Sequence, residues 1–111
     1  MSVKHIDNIP SKAVPNAVGV SKQVLISAEE PPHFAMRCFT IQTGGKMPLH
    51  TNTVEHEQYV LSGKAKVTLG EEHYEVEAGN VVFIPAGMPH AYTNIGEEPF
   101  RFLCSIPNIE D

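Results

Sequence analysis

The chain has no tryptophan and only two cysteines, Cys38 and Cys104, in 111 residues. Two thiols are too few for a disulfide scaffold, and each lies inside an apolar run (AMRCFTI and FRFLCSI), where a small buried thiol is the expected state. Basic residues are also scarce: 8 Lys and Arg stand against 13 Asp and Glu, giving a net charge of -5 and no basic stripe to neutralise phosphates. Nucleic acid is therefore not an expected partner. No apolar run approaches the roughly 20 residues that span a bilayer, and MSVKHIDNIPSK lacks the apolar core of a signal peptide. The expectation is a cytoplasmic protein with no membrane partner. With 41% hydrophobic and 19% charged residues, the composition is that of a globular chain, and its length suits one core.

What the chain has in quantity is punctuation. Eight Gly and nine Pro fall between short apolar segments rather than in one linker. The segments are 22–26, 33–42, 55–61, 64–69, 72–76, 81–84, 90–94 and 100–106, each of ordinary strand length. The alternation in KAKVTLG and EHYEVEAG about Gly70 predicts a hairpin. The class is all-β, and so many strands in so short a chain are best managed by a small barrel or jelly roll, because open edges invite association. Residues 1–20, with Pro10, Pro15 and few strand signals, read as an extended arm before a single barrel domain over 21–111. The arm's Val3, Ile6, Ile9, Val14 and Val18 need a surface to cover, which predicts a homodimer.

Six histidines are distributed unevenly. His5, His33 and His73 read as surface or satisfied core residues. His50 and His56 bracket HTNTVEH, and His90 follows 34 residues after His56 in PAGMPH. Neutral imidazoles from separate strands are the commonest way to hold a first-row transition metal. Spacing by itself does not separate a shared metal from three unrelated histidines.

At these residues the sequence resembles the cupin family. The first cupin motif is Gly, five residues, His-x-His, three or four residues, Glu, six residues, Gly; here Gly44, His50-Thr51-Asn52, His56 and Gly63 fit that frame with two substitutions. In the second motif, Gly79, Pro85, Gly87, His90 and Asn94 are all in register. The flanking GGKMP, EHEQYVLSG and PFRFLCSIP are similar to the small single-domain cupins that bind manganese through four histidines. The resemblance implies a double-stranded β-helix jelly-roll barrel, a central metal and a homodimer. It implies His50, His56 and His90 as metal ligands, with manganese or iron favoured and zinc or nickel next.

Asn52 is the departure. It stands where the family has a second imidazole, and an amide oxygen is a weaker, neutral donor. Glu55 and Glu57 flank His56 and, by strand alternation, point away from it. Three imidazoles and an amide leave a divalent ion its full charge, so the site is expected to attract a small anionic or enolisable ligand. With His56 inward, Gln58 shares its face; with His90 inward, Tyr92 does. Asn94 has the same parity but reads more simply as a turn residue. The last strand is expected to place Phe102 and Cys104 inward, and Arg37, in parity with Phe39 and Ile41, is a candidate anchor for a carboxylate. Three functions fit: an oxygenase or a lyase/isomerase, a non-catalytic module that binds metal or a small ligand, or a domain that regulates a partner.

Overall fold

The computed structural model describes residues 1–108, so the last three residues of the expected barrel domain lie outside the described residues. A 3-10 turn at Ile6–Asn8 precedes β1 (Ser11–Ala13), β2 (Val18–Ile26), β3 (Phe34–His50), β4 (His56–Ser62), β5 (Lys64–Leu69), β6 (Glu72–Glu77), β7 (Val81–Ile84), β8 (His90–Asn94) and β9 (Phe100–Pro107). All pairings are antiparallel, in the order β6-β5-β8-β3-β9-β4-β7, with β2 also on β3 and β1 on β2. The sheet curls on itself as a jelly-roll barrel, the all-β class expected from the turn spacing.

Alternation drives the curl. In β4, His56, Gln58 and Val60 are buried while Glu57, Tyr59 and Leu61 are exposed. In β9, Phe100, Phe102 and Cys104 are buried, so the apolar set of that strand faces the core. Phe102 is the centre of that core. Its ring stacks on Phe39 at 5.3 Å and on Tyr92 at 5.0 Å, and packs against Phe100 at 5.5 Å. Burying such a side chain contributes about 1.5–3 kcal/mol. The hairpin about Gly70 forms with Leu69 opposite Glu72, and Gly70 takes the left-handed conformation (φ 62°) that a two-residue turn requires.

The structure departs from the sequence reading in β3. The segment 33–42 was expected to end at the glycines, yet the strand continues to His50. Its first half pairs with β2 and β9, and its second half pairs with β8 through Lys46 and Thr93, Met47 and Tyr92, and His50 and His90. Gly44 and Gly45 therefore form a corner inside one strand rather than a turn between two. Gly44 has φ 79°, and a Cβ on Gly45 would stand 2.6 Å from the Val18 carbonyl oxygen and 2.8 Å from that of Gln42. Only glycine permits so close a backbone approach.

The arm also differs. Strand β2 starts at Val18, inside the expected 1–20 arm, and Ser11–Ala13 pairs with it. The Gln23 side chain donates to the carbonyls of Ile6 and Ile9, both at 2.9 Å, while Val14 packs on the core. Part of the arm therefore covers its own barrel. The sequence signal was weak because Pro10 and Pro15 bracket a strand of only three residues. No helix among the described residues is long and apolar enough to cross a membrane.

Candidate functional site

Three strand ends meet at one mouth of the barrel. His50 closes β3, His90 opens β8 directly opposite it, and His56 opens β4. The His50 and His90 ring centroids are 4.1 Å apart, and those of His56 and His90 are 5.6 Å apart. The two close rings, tilted 57° to one another, are held in the same way. His50 Nδ1 lies 2.8 Å from the Pro48 carbonyl oxygen and His90 Nδ1 lies 2.9 Å from that of Met88. A carbonyl only accepts, so each Nδ1 carries the ring proton and donates it, which leaves both Nε2 atoms as lone-pair donors.

His90 is 1% exposed, and its Nε2 is buried without a hydrogen-bond partner among the described residues. Burial holds its pKa below the usual imidazole range, and His50 adds to this, against a smaller opposing effect from the Met88 carbonyl. The ring is therefore neutral near pH 7. Asn52 is half-buried in the loop between β3 and β4, and its backbone oxygen accepts from Gly87 N at 2.7 Å. That bond ties the PAGMPH turn to the HTNTVEH turn and fixes the separation of His90 from the other two histidines. Among the described residues, no group of three or more His, Cys, Asp or Glu side chains is already set as a metal cage.

A cavity of about 310 Å³ runs inward from this mouth, and His50, Asn52, His56 and His90 all line it. Gln58, Tyr92, Phe102 and Arg37 also reach its surface. Cys104 does not. It is fully buried behind the wall, where its sulfur accepts from Arg37 Nη2 at 3.3 Å and from Gln58 Nε2 at 3.6 Å. The parity that placed Cys104 inward was correct, but a side chain so short stays under the longer Arg37 and Gln58. Both thiols are free, and burial raises the pKa of Cys38, which lies under the Arg101 guanidinium at 3.7 Å.

Gln58 Nε2 also donates to Tyr92 Oη at 2.7 Å. Burial pushes the Tyr92 phenol well above its ordinary range, with the Gln58 bond opposing in part, so the hydroxyl keeps its proton. Tyr92 can therefore donate a hydrogen bond into the cavity but cannot serve as a base near neutrality. Glu55 and Glu57 are exposed, as alternation requires. Asn94 is the turn residue expected, and it is buried: its amide nitrogen donates to Ile41 O and Glu98 O, both at 2.9 Å, and its oxygen accepts from Gly96 N at 2.8 Å. It holds the turn after β8 against the corner strand.

His5, His33 and His73 are elsewhere. His5 caps the 3-10 turn, His33 packs edge-on against Phe34, and His73 bonds Thr68 in the β5-β6 hairpin. Among the cavity residues that escaped the sequence reading are two charged ones, Lys12 on β1 and Lys22 on β2. Lys22 shares parity with the buried Val20, the one signal that a charged side chain sits on an inward face.

The model of the Cupin domain family matches residues 37–106. The chain belongs to the cupin family. Among solved structures, it is similar to the polyketide cyclase RemF from Streptomyces resistomycificus, with TM-score 0.91 and 29% identity over 98% of this chain and 80% of that one. A cupin-2 domain from Rhodospirillum rubrum shares the fold at TM-score 0.86 and 23% identity, over 99% of this chain and 76% of that one. Among curated cupins, oxalate decarboxylase OxdC of Bacillus subtilis is 39% identical over 70 residues, 58% of this chain and 18% of that protein. The chain spans about half, or far less, of the length of the curated relatives it matches.

Proposed function

We propose that this cupin binds one divalent transition metal through His50, His56 and His90, with Asn52 at the fourth position, and acts on a small anionic or enolisable molecule. One observation carries the reading. His50 and His90 each hand Nδ1–H to a backbone carbonyl, and His90 keeps a buried, unpartnered Nε2. This carbonyl-to-imidazole support is how proteins orient histidines that ligate metal, and a buried acceptor with nothing to bind costs about 1–3 kcal/mol. The resemblance to manganese-binding cupins ranks manganese or iron first, then zinc or nickel; imidazole donors by themselves suit iron, nickel and zinc.

Such a metal supplies Lewis acidity or a redox centre, which supports an oxygenase or a lyase/isomerase. The chain's own residues do the rest. Phe39, Phe102 and Met47 give the cavity apolar walls, the Tyr92 hydroxyl offers a proton for a hydrogen bond, and Gln58 fixes that hydroxyl. The second reading is a non-catalytic module that binds metal or a small ligand, which the weaker amide donor at position 52 favours. Consumption of oxygen or peroxide supports the first and tight ligand binding without product the second, while metal analysis of protein made without an affinity tag tests the centre itself. Metal bound in His73→Ala but lost in His90→Ala supports the metal centre, and equal retention in both removes it.

The homodimer belongs to this proposal as well. Because part of the arm covers its own barrel, the face a second copy would bury is the outer surface of β4 and β7, where Tyr59, Leu61, Val81 and Phe83 are 37–74% exposed. Light scattering is expected to give twice the 12.2 kDa chain mass and to fall toward one chain in Phe83→Glu. A monomeric wild type would remove the dimer.

A further inference from the structure

The inward face of a small barrel is normally apolar, yet this one carries three cations at the end made by β1, β2 and the start of β3. Lys12 and Lys22 are direct partners across the β1-β2 ladder, and Lys22 is in turn paired with Phe39, so both lysines stand on the side of the sheet that carries Phe39 and Phe102, Lys12 exposed at the rim and Lys22 half-buried. Like charges directly opposite one another destabilise an antiparallel pair. Arg37 lies on the same face of β3, its guanidinium 5.0 Å over the Phe39 ring and its Nη2 on the Cys104 sulfur. Its Nε is buried without a hydrogen-bond partner among the described residues.

All three line the cavity that the histidines line, and no Asp or Glu does. Neither lysine nor the arginine makes an ion pair among the described residues. The chain nevertheless carries 13 acidic residues and a net charge of -5. A cationic cavity in an anionic protein, with a repelling lysine pair and an unpaired guanidinium donor, is the arrangement an oxyanion would relieve.

We infer that Lys12, Lys22 and Arg37 form a second anion subsite, so that the ligand of this cavity is two-ended: one carboxylate sits among these cations while its other oxygens face the histidines. This rests on the proposed ligand site and narrows it to dicarboxylates and comparable dianions. Arg37 supplies the fork that a planar carboxylate matches, and the two lysines add charge at the rim on a hairpin that also covers the cavity. Gln58 stands between the two ends, two residues from His56 on β4 and sharing the Cys104 sulfur with Arg37.

Calorimetry with succinate and butyrate as probes tests this on the full chain, both metal-loaded and stripped by a chelator. Succinate is expected to bind the loaded protein at least 10-fold more tightly than butyrate. Arg37→Gln is expected to lose about 10-fold or more in succinate affinity, the size of a lost charge-assisted contact. Lys12→Gln with Lys22→Gln is expected to lose several-fold, while Lys66→Gln on the outer face of β5 changes nothing. Thermal melts provide an independent readout: without ligand, Lys12→Gln should melt at or above the wild-type temperature, because it removes a like-charge pair, yet gain less from succinate. The lysine and arginine dependence should persist in stripped protein even if no metal binds, which would remove the metal centre and leave the cation subsite. Equal binding of succinate and butyrate, or unchanged succinate affinity in the double lysine variant, overturns the subsite even where metal analysis succeeds.

Discussion

The two ends of the cavity are built in different ways. The histidine end is made by strand termini and turns: His50 ends β3, His56 begins β4, His90 begins β8, and one backbone bond between Gly87 and Asn52 holds the turns together. The cationic end is made by cross-strand register: Lys12 meets Lys22, and Lys22 meets Phe39, only because β1 folds back on β2 and β2 on β3. A site at strand termini is written in short local motifs. A site made by register depends on which residues a distant pairing brings opposite one another. The two ends share one floor, Phe39, Phe102 and Tyr92, so damage to that floor should reach both.

The largest expected effect comes from the floor. Phe102→Ala removes a ring that is 1% exposed and contacts three other rings, and should cost about 3–5 kcal/mol, read by chemical denaturation. If the two ends depend on it together, metal and succinate binding should weaken in parallel in the fraction that stays folded. Loss at one end alone would show that the ends are supported separately.

The corner between the ends comes next. Gly45→Ala forces a Cβ to within 2.6 Å of the Val18 carbonyl oxygen, where backbone rather than a flexible side chain must yield. A destabilisation of about 1–3 kcal/mol is expected, by analogy with overpacking of a tight site. Hydrogen exchange should locate the loosened amides in β2 and the second half of β3. Unchanged stability would mean that β3 tolerates a different bend.

Asn94→Ala should be milder. It deletes an amide that bridges Ile41 O and Glu98 O and leaves both carbonyls to find water, an expected cost of about 1–2 kcal/mol in thermal or denaturant unfolding. The smallest effect on stability is expected for Asn52→His, which should leave the fold intact. It should tighten metal binding by about 10-fold or more, the scale on which ligand-shell changes act. Unchanged metal affinity would show that position 52 does not face the metal and would leave the cationic end as the cavity's main source of ligand affinity.

These comparisons also show what was legible in the sequence. The alternation of β4 exposes Glu57 and buries His56 and Gln58, so parity alone put the right faces inward. The spacing of His50, His56 and His90 left a shared site open, and it was the resemblance of the HTNTVEH and PAGMPH segments to the two cupin motifs that implied one mouth. Parity also placed Cys104 inward correctly, and length kept it from the cavity: its side chain is too short to pass Arg37 and Gln58. Gly44 and Gly45 were read as a turn because glycine marks turns and corners alike, and only the pairing of Lys46 with Thr93 distinguishes them. Lys12 could not be read at all, since nothing local says that a three-residue strand between two prolines returns to lie against β2.

The central claim is that His50, His56 and His90 hold one transition metal at the barrel mouth. Anomalous diffraction from crystals of tag-free protein, measured across the manganese, iron, nickel and zinc edges, tests it most directly. The account predicts one peak at one of these edges, about 2.0–2.2 Å from the Nε2 atoms of all three histidines. Fully ordered imidazoles with no peak at any edge, or a peak held by other residues, would contradict it.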